Sequence, residues 1–240
     1  MAMTLMTDWR RNLLLAGCMC VGLTGAASAD TYAYLYINDQ PDNLYNFGVA
    51  DLTSGSYTVC GNTGQLLAEV GGTVYGAALG GSGFYTIDPS NGALTLVGNS
   101  NISFNAVGST DSTVYALDSN DWLYTVDPAT GAATEVGKTG MVPATYVPLS
   151  SGSSNLYALA ETTLIKFNLR NGKARVKGGG YYDMTAVAYA GGKIYAGTAS
   201  SPPAIYKISG HVAQKYVSTI SSATGAAWGM APTTNTACPD

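Results

Sequence analysis

The stretch LYTVDPATGAATEVG, residues 123–137, alternates apolar and polar residues on both sides of a D-P-A-T-G turn. That pattern reads as a β-hairpin, two half-buried strands joined by turn residues. The turn chemistry is specific. An Asp side chain can accept backbone N–H groups ahead of it, Pro presets φ, and Gly supplies the positive φ that closes the turn. The same hairpin recurs as FYTIDPSNGALTLVG at 84–98, LIKFNLRNGKARVKG at 164–178 and VADLTSGSYTVCG at 49–61. A worn copy, IYKISGHVAQKYV, lies at 205–217.

The repeat has a period near 40 residues. The turn glycines Gly55, Gly92, Gly131, Gly172 and Gly210 are 37, 39, 41 and 38 residues apart. A second strand marker precedes each later hairpin, at Val74-Tyr75, Val114-Tyr115, Leu156-Tyr157 and Ile194-Tyr195. Small-residue strands stand before those markers, at 67–71, 105–109, 144–148 and 185–190, with a fifth at 225–231. Each unit is thus four short strands, here A to D, as in the blades of a propeller. Five hairpins imply an all-β, five-bladed β-propeller of four-stranded antiparallel blades. The first unit lacks its strand A, and the strand at 225–231 lacks a hairpin. The C-terminal strand is therefore expected to complete the first blade, which removes two open sheet edges.

The chain has 240 residues, of which 46% are apolar and only 11% charged, with 30 Gly and 17 Tyr. That composition suits packed strands and tight turns and excludes a disordered chain. Residues 1–29 read as a signal peptide. Arg10 and Arg11 are followed by an apolar run at 13–23 and an Ala27-Ser28-Ala29 cleavage site. The run is too short for a membrane-spanning helix, and no later stretch is long enough. Leu15-Ala16-Gly17-Cys18 offers a competing lipoprotein box, with a lipid on Cys18. Cleavage after Ala29 leaves a single domain, 30–240, with two cysteines. In an exported chain Cys60 and Cys238 are expected to form a disulfide.

The repeats at 123–137 and 84–98 resemble those of exported bacterial β-propellers of the YncE-like and quinoprotein-like group. The copies at 164–178 and 49–61 match that group more loosely. The resemblance implies a propeller exported to the periplasm or medium and leaves function open. Such relatives often carry a C-terminal sorting tail; TNTACPD at 234–240 does not match one, so release rather than anchoring by that route is expected.

Several chemistries lack their residues. His211 is the only histidine and sits in the fifth hairpin turn, where a histidine is most often solvated; a Ser-His-Asp triad needs its base held by a third group beside a serine, and zinc or copper sites usually need several His or Cys ligands. No nucleophile elbow, P-loop or dinucleotide fingerprint is present. Glycosidic hydrolysis needs paired carboxylates, and the inner strands offer Glu69 and Asp183.

In an A-B-C-D blade the D–A and B–C connections share one face. That face is expected to gather Asp39 and Asp42, and Asp118, Asn120, Asp121 and Trp122 from LDSNDW. It also gathers Tyr181, Tyr182 and Asp183 from GGGYYD, and Pro202 and Pro203. Aromatic rings beside carboxylates and amides suit a carbohydrate or a protein surface, and carboxylates alone could take Ca²⁺. The expected function is an exported binding or interaction module without catalysis. Its alternatives are a carbohydrate-active or lyase-type enzyme and a self-assembling surface or matrix protein.

Charge is unevenly placed. Residues 30–137 hold eleven acidic residues and no Lys or Arg, while residues 138–240 hold nine basic and three acidic ones. The fourth hairpin, KFNLRNGKARVK, carries much of the positive charge. Such halves could attract each other in head-to-tail self-association. The net charge of −4 and the lack of a basic stacking motif argue against nucleic acid.

Overall fold

A computed structural model of the chain describes residues 31–39, 44–141, 149–150, 154–160, 162–209 and 213–240. The leader at 1–29 with Cys18, Asp42, His211 and the strand expected at 144–148 lie outside the described residues.

The fold is a ring of five antiparallel blades. Blade 1 holds β1 (Tyr32–Asp39), β2 (Leu44–Asp51) and β3 (Tyr57–Asn62). Blade 2 is β4 (Leu66–Val70), β5 (Thr73–Ala77), β6 (Gly83–Ile87) and β7 (Leu94–Asn99). Blade 3 is β8 (Ala106–Ser109), β9 (Val114–Leu117), β10 (Trp122–Val126) and β11 (Ala133–Lys138). Blade 4 shows β12 (Tyr157–Ala160), β13 (Thr163–Phe167) and β14 (Ala174–Gly179). Leu149 makes an antiparallel bridge to Ala158 where the other blades place strand A. Blade 5 is β15 (Met184–Ala190), β16 (Lys193–Thr198), β17 (Ala204–Ser209) and β18 (Ala213–Thr219). Last comes β19 (Ala226–Thr233), which pairs antiparallel with β1 and gives blade 1 its missing inner strand. The ring closes as the repeat arithmetic predicts.

Five hydrophobic clusters hold the blades, one at each junction. Strand periodicity feeds them. In β1, Ala33, Leu35 and Ile37 pack toward blade 5, while Tyr34 and Tyr36 pack toward blade 2. In β9, Val114 and Ala116 pack toward blade 2, while Tyr115 and Leu117 pack toward blade 4. Successive side chains leave a strand on opposite sides, so a strand buried on both faces needs an unbroken apolar run.

The hairpin turn shared by blades 1 to 4 has a second use at these junctions. In blades 1 to 4 the turn glycine donates its N–H to the carbonyl four residues back, at 2.7–2.9 Å: Gly55 to Asp51, Gly92 to Asp88, Gly131 to Asp127 and Gly172 to Asn168. The Asp or Asn side chain accepts the N–H two residues ahead. The finished turn then presses on the glycine ending the previous blade's outer strand. A Cβ added to Gly98 would stand 2.2 Å from the Thr130 carbonyl oxygen, and one on Gly137 would stand 2.3 Å from that of Asn171. The two glycines of the repeat are therefore partners across a junction rather than within one hairpin.

Candidate functional site

Strand order fixes two faces. The D–A and B–C connections emerge on one, the A–B connections on the other. The inner strands β4, β8, β15 and β19 pack around the axis.

On the first face, residues 118–122 form a self-satisfied turn. Asp118 Oδ1 accepts the N–H groups of Asn120 and Trp122, each at 2.9 Å. Its Oδ2 accepts the Tyr124 hydroxyl at 3.2 Å. Burial, followed by Asp118, pushes the Tyr124 phenol up to about 12. Asp118 is 9% exposed, so its carboxylate organises the turn. Asp121 adopts a positive φ of 71°. Its carbonyl accepts the Thr139 N–H at 2.8 Å, which ties this turn to the end of β11.

The GGGYYD segment splits. Tyr182 is 65% exposed, whereas Tyr181 is fully buried between blades 4 and 5. The Tyr181 hydroxyl donates to the Ser209 carbonyl at 3.1 Å. This corrects the expectation that both rings face a ligand. The Tyr181 ring fills the junction between blades 4 and 5 beside Leu159, Leu164 and Ile208, so it is part of the core. Asp183 is exposed, has a φ of 57°, and accepts the Ala199 N–H on its carbonyl at 2.8 Å. Asp118, Asn120, Asp121 and Trp122 are thus grouped in one turn of blade 3. Tyr182 and Asp183 stand on the passage from blade 4 to blade 5.

Glu69 and Asp183 do not pair. Glu69 is the fourth residue of β4, next to the A–B turn, and Asp183 immediately precedes β15. Inner strands all run the same way around the ring, so the two carboxylates lie at opposite ends of the axis.

Glu69 instead faces a cup on the A–B face, of about 800 Å³. Five stretches distant in sequence line it: Thr31, Tyr32 and Tyr34, then Glu69 with Gly72, Asp111, residues 189–191 and residues 232–236. Glu69 Oε1 accepts the Gly72 N–H at 2.5 Å. Burial pushes the Glu69 carboxyl above its usual range; the Gly72 N–H pulls it down and nearby Asp111 pushes it up. The Ser109 hydroxyl donates to the Glu69 carbonyl at 2.6 Å, joining β8 to β4 below the cup. Across the axis the Thr185 hydroxyl donates to the Ala227 carbonyl, joining β15 to β19. Tyr32, Tyr34 and Tyr189 bring aromatic rings, and Thr233, Thr234 and Thr236 bring hydroxyls.

The chain after β19 forms one wall. Asn235 Nδ2 donates to the Tyr34 hydroxyl at 2.6 Å, and the Tyr34 ring stacks on Phe47 with centroids 5.4 Å apart. Cys238 then forms a disulfide with Cys60 of β3, with Cα atoms 5.4 Å apart. The expected cysteine pairing is present. Sequence reasoning missed the cup because its turns carry no motif. Gly71-Gly72 and Gly191-Gly192 look like plain strand reversals, and the tail reads as a bland polar run. Only the predicted ring closure hinted that 31–34 and 232–236 would meet.

Among the described residues no group of three His, Cys, Asp or Glu side chains could hold a metal ion. No described helix is long and apolar enough to cross a membrane.

No protein-family model and no curated protein matches the chain. Similarity to solved structures is at the level of fold. A chain in the crystal structure of a nidogen–laminin complex superposes with a TM-score of 0.52 at 12% identity, over 84% of this chain and 97% of that one. The PQQ-bound aldose sugar dehydrogenase of Streptomyces coelicolor gives a TM-score of 0.44 at 11% identity, over 61% of this chain and 60% of that one. Both are β-propeller proteins.

Proposed function

We propose that the chain is an exported binding module of the bacterial repeat-propeller type, with its ligand seated in the axial cup. One observation carries this reading: five separate stretches bring rings, hydroxyls, an amide and two carboxylates to one concavity on the ring axis. Pockets that combine aromatic walls with a few convergent polar groups are where small ligands bind. The leader pattern at 1–29 and the Cys60–Cys238 bridge support export into an oxidising compartment. No catalytic step belongs to this reading.

The test is a glycan and peptide array probed with residues 30–240 and with Tyr189→Ala. Loss of the dominant signal in the variant is expected. An unchanged profile would show that the cup is not the site. Fusing residues 1–29 to a reporter tests export; retention in the cytoplasm refutes it.

The opposite face offers a second reading, with a protein or carbohydrate surface against Asp121, Trp122, Tyr182 and Asp183. Among the described residues three buried polar atoms lack a hydrogen-bond partner: Thr63 Oγ1, Gln65 Oε1 and Ser100 Oγ. All lie in D–A connections on that face. An orphaned buried polar atom costs about 1–3 kcal/mol unless water or a ligand meets it. Asp121→Ala with Tyr182→Ala would abolish array binding if this face is the site. Charge-driven self-association is separate: sedimentation that stays monomeric at both low and high salt excludes it.

A further inference from the structure

The cup has an electrostatic peculiarity. It holds two carboxylates, Glu69 and Asp111, and its lining contains no Lys, Arg or His among the described residues. The two carboxylates are close enough for Asp111 to disfavour ionisation of Glu69. Among the described residues no ion pair relieves them. Glu69 is satisfied in part by the Gly72 N–H, which is one neutral donor for a charged group.

Filling the cup changes the balance. A ligand that displaces water strips solvation from both carboxylates. A neutral ligand would leave two like charges facing each other in a lower dielectric, which is costly. An anion would add a third negative charge. A cationic ligand supplies the missing counter-charge. A bare divalent metal ion fits poorly, because Ca²⁺ takes six to eight oxygen ligands and two carboxylates are far from that. An alkylammonium group fits better. Its three N–H donors match carboxylate and hydroxyl acceptors, and tyrosine faces attract cations. Blades 1 to 3, with no Lys or Arg between residues 30 and 137, add a negative field that draws cations inward.

We infer that the cup binds a ligand carrying a protonated primary amine, held between Glu69 and Asp111 against Tyr32 and Tyr189. This rests on the cup being the binding site. Free polyamines and lysine side chains of a peptide share the required chemistry, and the experiment separates them.

Calorimetric titration of residues 30–240 uses spermidine, a trilysine peptide and neutral maltotriose. Cup occupancy is read separately from chemical-shift changes at Gly72, Gly191 and Asn235. Amine binding with shifts at those three residues is expected, and the tighter amine identifies the source. The paired variant Glu69→Gln with Asp111→Asn should weaken that binding by about tenfold or more, since close charge pairs contribute strongly. A charge-matched control, Glu135→Gln with Asp240→Asn, removes two exposed carboxylates outside the cup and should leave affinity within about twofold, as expected for screened distant charges. Gln at 69 keeps an acceptor for the Gly72 N–H, and thermal melts of both variants check folding. Equal weakening in both pairs of variants overturns the inference, because the amine is then only attracted to the acidic blades. Maltotriose binding with cup shifts and no amine binding overturns the ligand class and leaves the site standing. No cup shifts with any ligand overturns both.

Discussion

The junctions between blades 1 and 4 and the junction that closes the ring solve the same problem by different means. Within the repeat, each joint is a fit of bare backbone: the Thr130 carbonyl lies against Gly98, and the Asn171 carbonyl lies against Gly137. At closure, β18 ends in Ser218 and Thr219 where the repeat would place Val and Gly. The Ser218 hydroxyl donates to the Leu52 carbonyl at 3.1 Å, across 166 residues of sequence. Gly55, in the blade 1 turn, meets the Thr219 carbonyl instead. β19 and the Cys60–Cys238 bridge then tie the end of the chain to its beginning. A repeat can copy a local fit from blade to blade. It cannot specify the place where the last copy meets the first, so that joint needs hardware of its own.

The difference predicts a ranking of damage. Cys60→Ser with Cys238→Ser should have the largest effect. The bridge spans 178 residues, and chain-entropy arguments put the loss at about 5 kcal/mol, with about 2–4 kcal/mol typical of measurement. Denaturant unfolding with and without reductant checks this; equal midpoints would mean the closing joint holds without it. Gly98→Ala comes next. The added methyl collides with backbone that has no rotamer to yield, and overpacking of this kind costs about 1–3 kcal/mol. A variant as stable as the parent would break the account of the repeat joints. Ser218→Ala should cost about 1 kcal/mol, one buried hydrogen bond. Asp127→Asn should have the smallest effect, a slight fall in melting temperature at neutral pH, since Asn168 already performs the same turn in blade 4 without a charge.

The charged part of that turn's contribution should disappear in acid. The N–H of Ala129, then the Thr130 hydroxyl, hold the Asp127 carboxyl below its usual range; the N–H of Ser90, then its hydroxyl, do the same for Asp88. A carboxyl lowered on folding stabilises above its unfolded value, near pH 4, and that contribution disappears as pH falls through the folded value. Melting temperature should therefore drop below about pH 4. Asp88→Asn with Asp127→Asn should flatten the drop, and an unaltered profile would assign acid sensitivity to other groups.

Much of the ring was legible because the hairpin pattern is local. Residues 123–137 announce β10 and β11, and even the worn copy at 205–217 becomes β17 and β18. The role of the turn glycines was legible as positive φ, which Gly131 adopts at 75°. Their role as contact surfaces was not, since Gly98 and Thr130 belong to different blades. The cup was hidden for a related reason. Glu69 and Asp111 are unremarkable in their own turns and gain meaning only when residues 232–236 arrive beside them. Tyr181 misled because exposure was read from loop composition.

The strand that completes blade 1 is made last among its neighbours. β1 and β19 are separated by nearly the whole domain, yet every backbone pairing on the inner edge of β1 depends on residues 226–233. Here the first blade can present only a three-stranded sheet with one raw edge until residue 233 has emerged. The order of synthesis thus postpones final locking, and the Cys60–Cys238 bridge with it, until the last residues of the chain are made.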